Sequence, residues 1–321
     1  MALQVKIKGL KAAALAIILC VAQACTGCAY RNEQNLDKRI EKTAKVFLKD
    51  ANFSQSDWAA FGLARWGGEV PKQWFADYYA GLEQKLTACD GVLHERKYTE
   101  YSKTVLALTA CGKDPAAIAG YNLLLPLADF EQTVFQGVNG PVVALLALDS
   151  GNYEIPATVT DSTQATREMY VEYILDAQLP GGGWTMKGEE AEADITAMAL
   201  QALVKYQHRK DVVQAVENGL AVLSALQDEN GGFTAFGAQS SEAVSQVIVA
   251  LTELGISLED SRFVKGGNTL LDALLQFRQK DGRFSHLLGG KSDRVATEQA
   301  FYALVAVSRM EKGETSLYRV K

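Results

Sequence analysis

The sequence predicts an all-α fold, an α6/α6 toroid of about twelve helices in six helical hairpins. Three observations predict it. A motif of Gln, a short gap and Gly-x-aromatic recurs as Gln178–Trp184, Gln227–Phe233 and Gln279–Phe284, with aromatics 49 and 51 residues apart. Such a period is the mark of repeat architectures. An apolar Ala-Leu helix core appears six times, anchored on Leu63, Leu108, Leu148, Leu203, Leu251 and Leu304, at gaps of 45, 40, 55, 48 and 53 residues. No stretch shows the alternation of a half-buried strand.

Each element follows from its residues. The six anchored helices are apolar and rich in small residues on most faces, and such helices are buried. Several end in glycine, as at Gly67, Gly112 and Gly255, where a helix terminus favours positive φ. Amphipathic segments precede them at Leu36–Leu48, Pro71–Leu86, Asn122–Phe130, Gln164–Ala177, Asp211–Leu226 and Asn268–Arg278. These read as outer helices with one solvated face. An open solenoid needs polar capping repeats at both ends. None is evident, so closure into a ring is expected.

The chain of 321 residues divides into a leader at 1–24, a short linker at 25–34 and one helical domain over 35–321. Lys6, Lys8 and Lys11 precede an apolar run from Ala12 to Ala22, too short for a comfortable span and suited to a signal peptide. Ala22-Gln23-Ala24 fits small-x-small cleavage, and Cys25 or Cys28 would stand near the start of the mature chain, where a lipidated cysteine would tether it to the membrane. The protein is therefore expected outside the cytoplasm, secreted or held at the cell surface. Losing the leader removes three lysines and no acid, taking the net charge from −6 to −9. That balance argues against a nucleic-acid partner. Cys89 and Cys111 are expected at opposite ends of a hairpin, too far apart to bridge, as free and buried thiols.

Around the Gln–Gly-x-aromatic copies, with Ile174, Leu223 or Leu275 four residues before the glutamine, the chain resembles the QW repeats of squalene cyclases and prenyltransferase β subunits. The stretches Arg96–Ser102, Trp184–Ala202, Ser241–Val247 and Ala296–Ala300 resemble exported bacterial proteins with prenyltransferase/squalene-oxidase repeats. The same toroid, by resemblance, forms the cobalamin-carrying α domain of transcobalamin. The resemblance implies the fold and leaves activity to the site.

The known chemistries of that superfamily lack their residues. Cyclisation by protonation uses Asp-x-Asp-Asp, and Glu192-Ala193-Asp194-Ile195-Thr196 keeps one Asp of it, so Asp194 is the single weak catalytic candidate. A zinc site needs clustered Cys and His, whereas His94, His208 and His286 are scattered. A thioester needs a cysteine near Glu298-Gln299, and Ala296-Thr297 stand there.

A polar and aromatic set remains at the starts of the buried helices. The expected ligand-binding residues are Asp57, Trp58, Tyr98, Tyr101, Gln136, Asn139, Asp194, Thr196, Glu242, Gln246, Glu298 and Tyr302. In a toroid these starts converge on one mouth, and aromatic faces with a few amides and carboxylates suit a small molecule. Singly, Ser54, Thr99 and Asn139 also read as helix caps. The leading expectation is a binding protein for a bulky, partly apolar ligand, with a corrinoid or an isoprenoid implied by resemblance. A terpene-cyclase-like enzyme and a cell-surface interaction module are the alternatives.

Overall fold

The computed structural model describes residues 36–159, 161–235 and 237–321. The expected leader and linker lie outside these. The protein is mostly helical, at 54% helix with little strand. The helices are α1 (36–49), α2 (Asp57–Trp66), α3 (Lys72–Ala88), α4 (Thr99–Ala110), α5 (Phe130–Val134), α6 (Asn139–Ser150), α7 (Arg167–Asp176), α8 (Ala193–Leu203), α9 (Lys210–Leu226), α10 (Ser241–Glu253), α11 (Leu270–Leu275) and α12 (Arg294–Glu311).

The even-numbered helices carry the six leucine anchors, and each of those leucines is almost wholly buried. In α6 ten of twelve residues are buried, so no face is left for solvent. Helix α2 packs on α4, α4 on α6, α6 on α8, α8 on α10, α10 on α12, and α12 on α2. Helices α7, α9 and α11 lie against α6, α8 and α10. Helix α1 lays Phe47 against Phe301 of α12, ring centroids 4.8 Å apart.

Local chemistry sets the element ends. Ser56, Thr166, Ser240 and Asp293 cap α2, α7, α10 and α12 with side-chain oxygens that accept main-chain N–H groups. A capping box of Thr269 and Asp272 starts α11. Gly67 ends α2 at φ 73°.

Some sequence readings need correction. Ser54 ends the 3₁₀ turn Ala51–Phe53, while Ser56 caps α2. Thr99 and Asn139 are first helical residues, after Tyr98 and Val138. Over Asn122–Phe130 there is a 3₁₀ turn at Pro126–Ala128, and α5 follows. Pro126 has no N–H to continue a longer helix. Among the described residues there are two short antiparallel strand pairs, β1 (Thr234–Ala235) with β2 (Ala238–Gln239) and β3 (Phe284–Ser285) with β4 (Ser292–Asp293). Two-residue strands are too brief to show alternation. Cys89 and Cys111 are free but only half-buried.

The repeat motif ties neighbouring helices together. Trp184, Phe233 and Phe284 are fully buried. Trp184 Nε1 donates to Ile174 O at 2.6 Å, which fastens the loop to α7. Gln178 Nε2 donates to Ala215 O of α9, and Gln227 Nε2 donates to Gly231 O and Phe263 O.

Candidate functional site

The twelve expected site residues divide into three groups. The first stands at the helix starts. Asp57 accepts Tyr78 OH at 2.6 Å and Thr104 Oγ1 at 2.8 Å, which ties α2 to α3 and α4. Glu298 is 2% exposed and meets Arg294 at 3.3 Å. Asp194 accepts its neighbour's Ile195 N–H at 2.9 Å. Glu242 takes Ser240 and Ser241 hydroxyls and faces His286 Nδ1 at 2.8 Å. Burial raises the carboxyls of Asp57, Glu298 and Asp194 above their ordinary range, and Glu192 and Glu242 push Asp194 further up.

The second group is structural in its contacts. Gln136 Oε1 accepts Thr99 N and Oγ1 at 3.2 and 3.1 Å, so it caps α4 from the segment before α6. Tyr98 meets Tyr101 edge-on at 5.3 Å. Asn139 keeps a buried Oδ1 without a partner. Thr196 is fully buried, and its Oγ1 accepts Trp184 N at 2.9 Å and donates to Trp184 O at 3.2 Å. Thr297 does the same for Phe284, accepting its N–H at 3.0 Å. The threonine is thus a clamp on the repeat loop.

The third group packs between the inner helices. Trp58 packs on Tyr302 at 5.5 Å between centroids. Gln246 Nε2 donates to Tyr302 OH at 2.7 Å and to Gln299 Oε1 at 2.9 Å. Gln201 Nε2 donates to Gln246 O and Oε1 at 2.9 and 3.0 Å. This amide chain joins α8, α10 and α12. Thr196, Gln246 and Tyr302, at most 6% exposed, are interior groups and do not stand in an open mouth.

A concavity with mixed lining lies at the other ends of the helices. It holds about 600 Å³ and is bordered by Leu146 and Asp149 of α6, Gln201 of α8, Lys205, Glu253 of α10 and Tyr318. Its outer wall is the segment after α12, residues 314–321. That wall is stapled down. Arg65 is 8% exposed and donates through Nε to Leu317 O at 2.8 Å and through one terminal nitrogen to Ser316 O and Arg319 O. Glu253 accepts Ser316 Oγ at 2.7 Å and Tyr318 N at 3.1 Å. Tyr318 stacks on Phe61 at 5.6 Å. Burial, with Arg309 close by, lowers Arg65 to about 10, and burial raises Glu253.

The polar wall is mostly satisfied. Asp149 takes Arg167 Nε at 2.8 Å, Tyr206 OH at 2.8 Å and Lys205 at 3.2 Å. Cations near helix C-termini also complement the macrodipole. One group is not satisfied: Gln201 Oε1 is buried without a partner. Its amide cannot be reversed without loss, because both atoms facing Nε2 are acceptors. Sequence reading missed this end. Its sequence signals are Gln201 in α8's last turn and Lys205 just after it.

No group of His, Cys, Asp and Glu among the described residues is arranged to hold a metal ion. No protein-family model matches the chain, and no characterised protein matches it.

Proposed function

We propose that this chain is an α6/α6 toroid that binds a partly apolar small molecule at one end of its ring. The ring reading is supported by the unbroken sequence of contacts from α2 through α12 and back to α2. The binding reading rests on the cavity of about 600 Å³, lined by Leu146 and Tyr318 together with Asp149, Lys205 and Glu253. That volume falls within the roughly 300–1,000 Å³ of small-molecule sites. It favours an isoprenoid-sized body over a corrinoid with its nucleotide loop. In this reading the ligand carries a polar group for Asp149 or Lys205 and an apolar part for Leu146 and Tyr318. The chain acts outside the cytoplasm after loss of its leader, secreted or lipid-anchored.

Native mass spectrometry of protein purified from its own host tests this. A retained ligand is expected, and the same ligand at about 100 times its dissociation constant should add roughly 2.7 kcal/mol of stability. Val204→Trp, which fills the cavity from a half-buried position, should abolish the gain. An empty protein that no apolar alcohol or amide stabilises sinks the reading.

A second reading is carried by the helix starts. Asp57, Asp194 and Glu298 are raised by burial, the condition a proton donor needs. Turnover of a polyprenyl substrate that Asp194→Asn abolishes would establish this acid chemistry. Turnover unchanged by the substitution would exclude Asp194.

A further inference from the structure

The chain is acidic overall, with 38 Asp and Glu against 32 Lys and Arg, yet one surface reverses the sign. Helix α1 exposes Lys38, Lys42, Lys45 and Lys49 at spacings of four, three and four, which places them along one face. The opposite face is buried through Leu36, Ile40, Ala44 and Phe47. The loop after α11 adds to the cationic face. Lys42 Nζ donates to Lys280 O, and Thr43 Oγ1 donates to Gly282 O at 2.7 Å, so Lys280 sits beside Lys42. Arg278 comes near Arg39, and its charge is disfavoured by burial and then by that like charge. Its Nε is buried with no partner.

The carboxylates nearby are largely taken. Glu41 pairs with Lys45, Asp37 with Lys312, and Asp50 and Asp281 with Arg283. No carboxylate pairs with Lys38, Lys42, Lys49 or Lys280 among the described residues. Arg39 and Arg278 add two further positive charges to this face, and an anionic surface would offset their mutual repulsion. The remainder of the molecule is net negative, so an anionic plane would attract this face and repel the others.

We propose that the α1 face, with Lys38, Arg39, Lys42, Arg278 and Lys280, docks on an anionic phospholipid surface. The position of α1 in the chain favours a membrane over a soluble polyanion. It is the first described helix after Cys25 and Cys28, and eight to eleven residues of chain reach at most about 40 Å. A lipid attached at either cysteine would hold α1 close to headgroups. Each basic residue near such a surface contributes about 1 kcal/mol, so a five-cation face orients the domain without any apolar insertion.

The test is vesicle co-sedimentation of residues 36–321, which contain every described element and neither cysteine near the leader. Binding is expected to vesicles containing phosphatidylglycerol and not to pure phosphatidylcholine, with loss at high salt. The triple variant Lys38→Glu, Lys42→Glu, Lys280→Glu should bind at least about a hundredfold less. The control Lys187→Glu, Lys210→Glu, at exposed lysines away from α1 and from the cavity, should bind as the parent does. Equal binding to both vesicle types overturns the proposal, as does a triple variant that matches the parent. Tighter binding to soluble polyphosphate than to the anionic vesicles replaces the membrane with a soluble polyanion.

Discussion

Gln201 of α8 donates both its amide hydrogens to Gln246 of α10, one to the main-chain oxygen and one to the side-chain oxygen. Gln246 then donates to Tyr302 OH and Gln299 Oε1 of α12. Three neighbouring helices are therefore linked by amides in a region with little water to replace them. Gln246→Leu would leave Gln201 Nε2 only the main-chain oxygen of residue 246, and would remove the donor to Tyr302 OH and Gln299 Oε1. An unsatisfied buried polar group costs about 1–3 kcal/mol, and the urea midpoint should fall accordingly. A variant as stable as the parent would mean that the chain of amides is replaced by water.

Thr196 and Thr297 hold the main chain of Trp184 and Phe284, whereas Val244 stands at the matching place in the middle repeat and the neighbouring Ser245 donates to Ser241 O of its own helix. Thr196→Val would leave a buried Trp184 N–H unpaired at a cost of about 1–3 kcal/mol. Ser245→Ala removes only an intrahelical bond and should cost well under half of that. Chemical denaturation of the two variants side by side distinguishes a clamp from general packing.

Glu298 gives a pH dependence whose sign is opposite to that of a salt-bridged acid. Burial raises its folded-state carboxyl above the ordinary 4.5. Below 4.5 both states are protonated and the group contributes nothing. As pH rises past 4.5 the unfolded chain ionises first, so stability falls until the folded-state value is passed, and then stays level. Glu298→Gln cannot ionise and should show a smaller decline. The stability difference between variant and parent should therefore grow from pH 4 to pH 7 in urea titrations. A difference that is constant with pH would place the ionised carboxylate in favourable contact with Arg294.

The sequence made the inner helices legible because burial on all faces leaves a composition signature. The leucine anchors at Leu63 through Leu304 all fall inside helices, and Gly67 lies at a terminus with positive φ. Depth along those helices was not legible. Glu242 and Gln246 share a face in sequence, yet one turn separates a carboxylate at the helix start from an amide in the interior. Nor was the cavity end legible. Arg65 and Leu317 lie 252 residues apart, and residues 314–321 carry no periodicity that announces where they pack.

Arg65 is the staple of that last segment, which gives the final prediction. Its guanidinium meets three main-chain oxygens, of Leu317, Ser316 and Arg319, while Glu253 holds Tyr318 N–H. Arg65→Met keeps much of the aliphatic volume and removes every donor. Three carbonyls lose their partner, that of Leu317 in a buried place, and Glu253 loses a compensating charge. Hydrogen bonds to charged groups are worth about 1.5–3 kcal/mol each and are not additive here, so the segment should loosen before the ring melts. Amide hydrogen exchange at Tyr318 should accelerate by more than about a hundredfold, equivalent to roughly 2.7 kcal/mol, while amides within α8 and α10 keep their protection. Uniform acceleration across all helices would instead make Arg65 part of the global core.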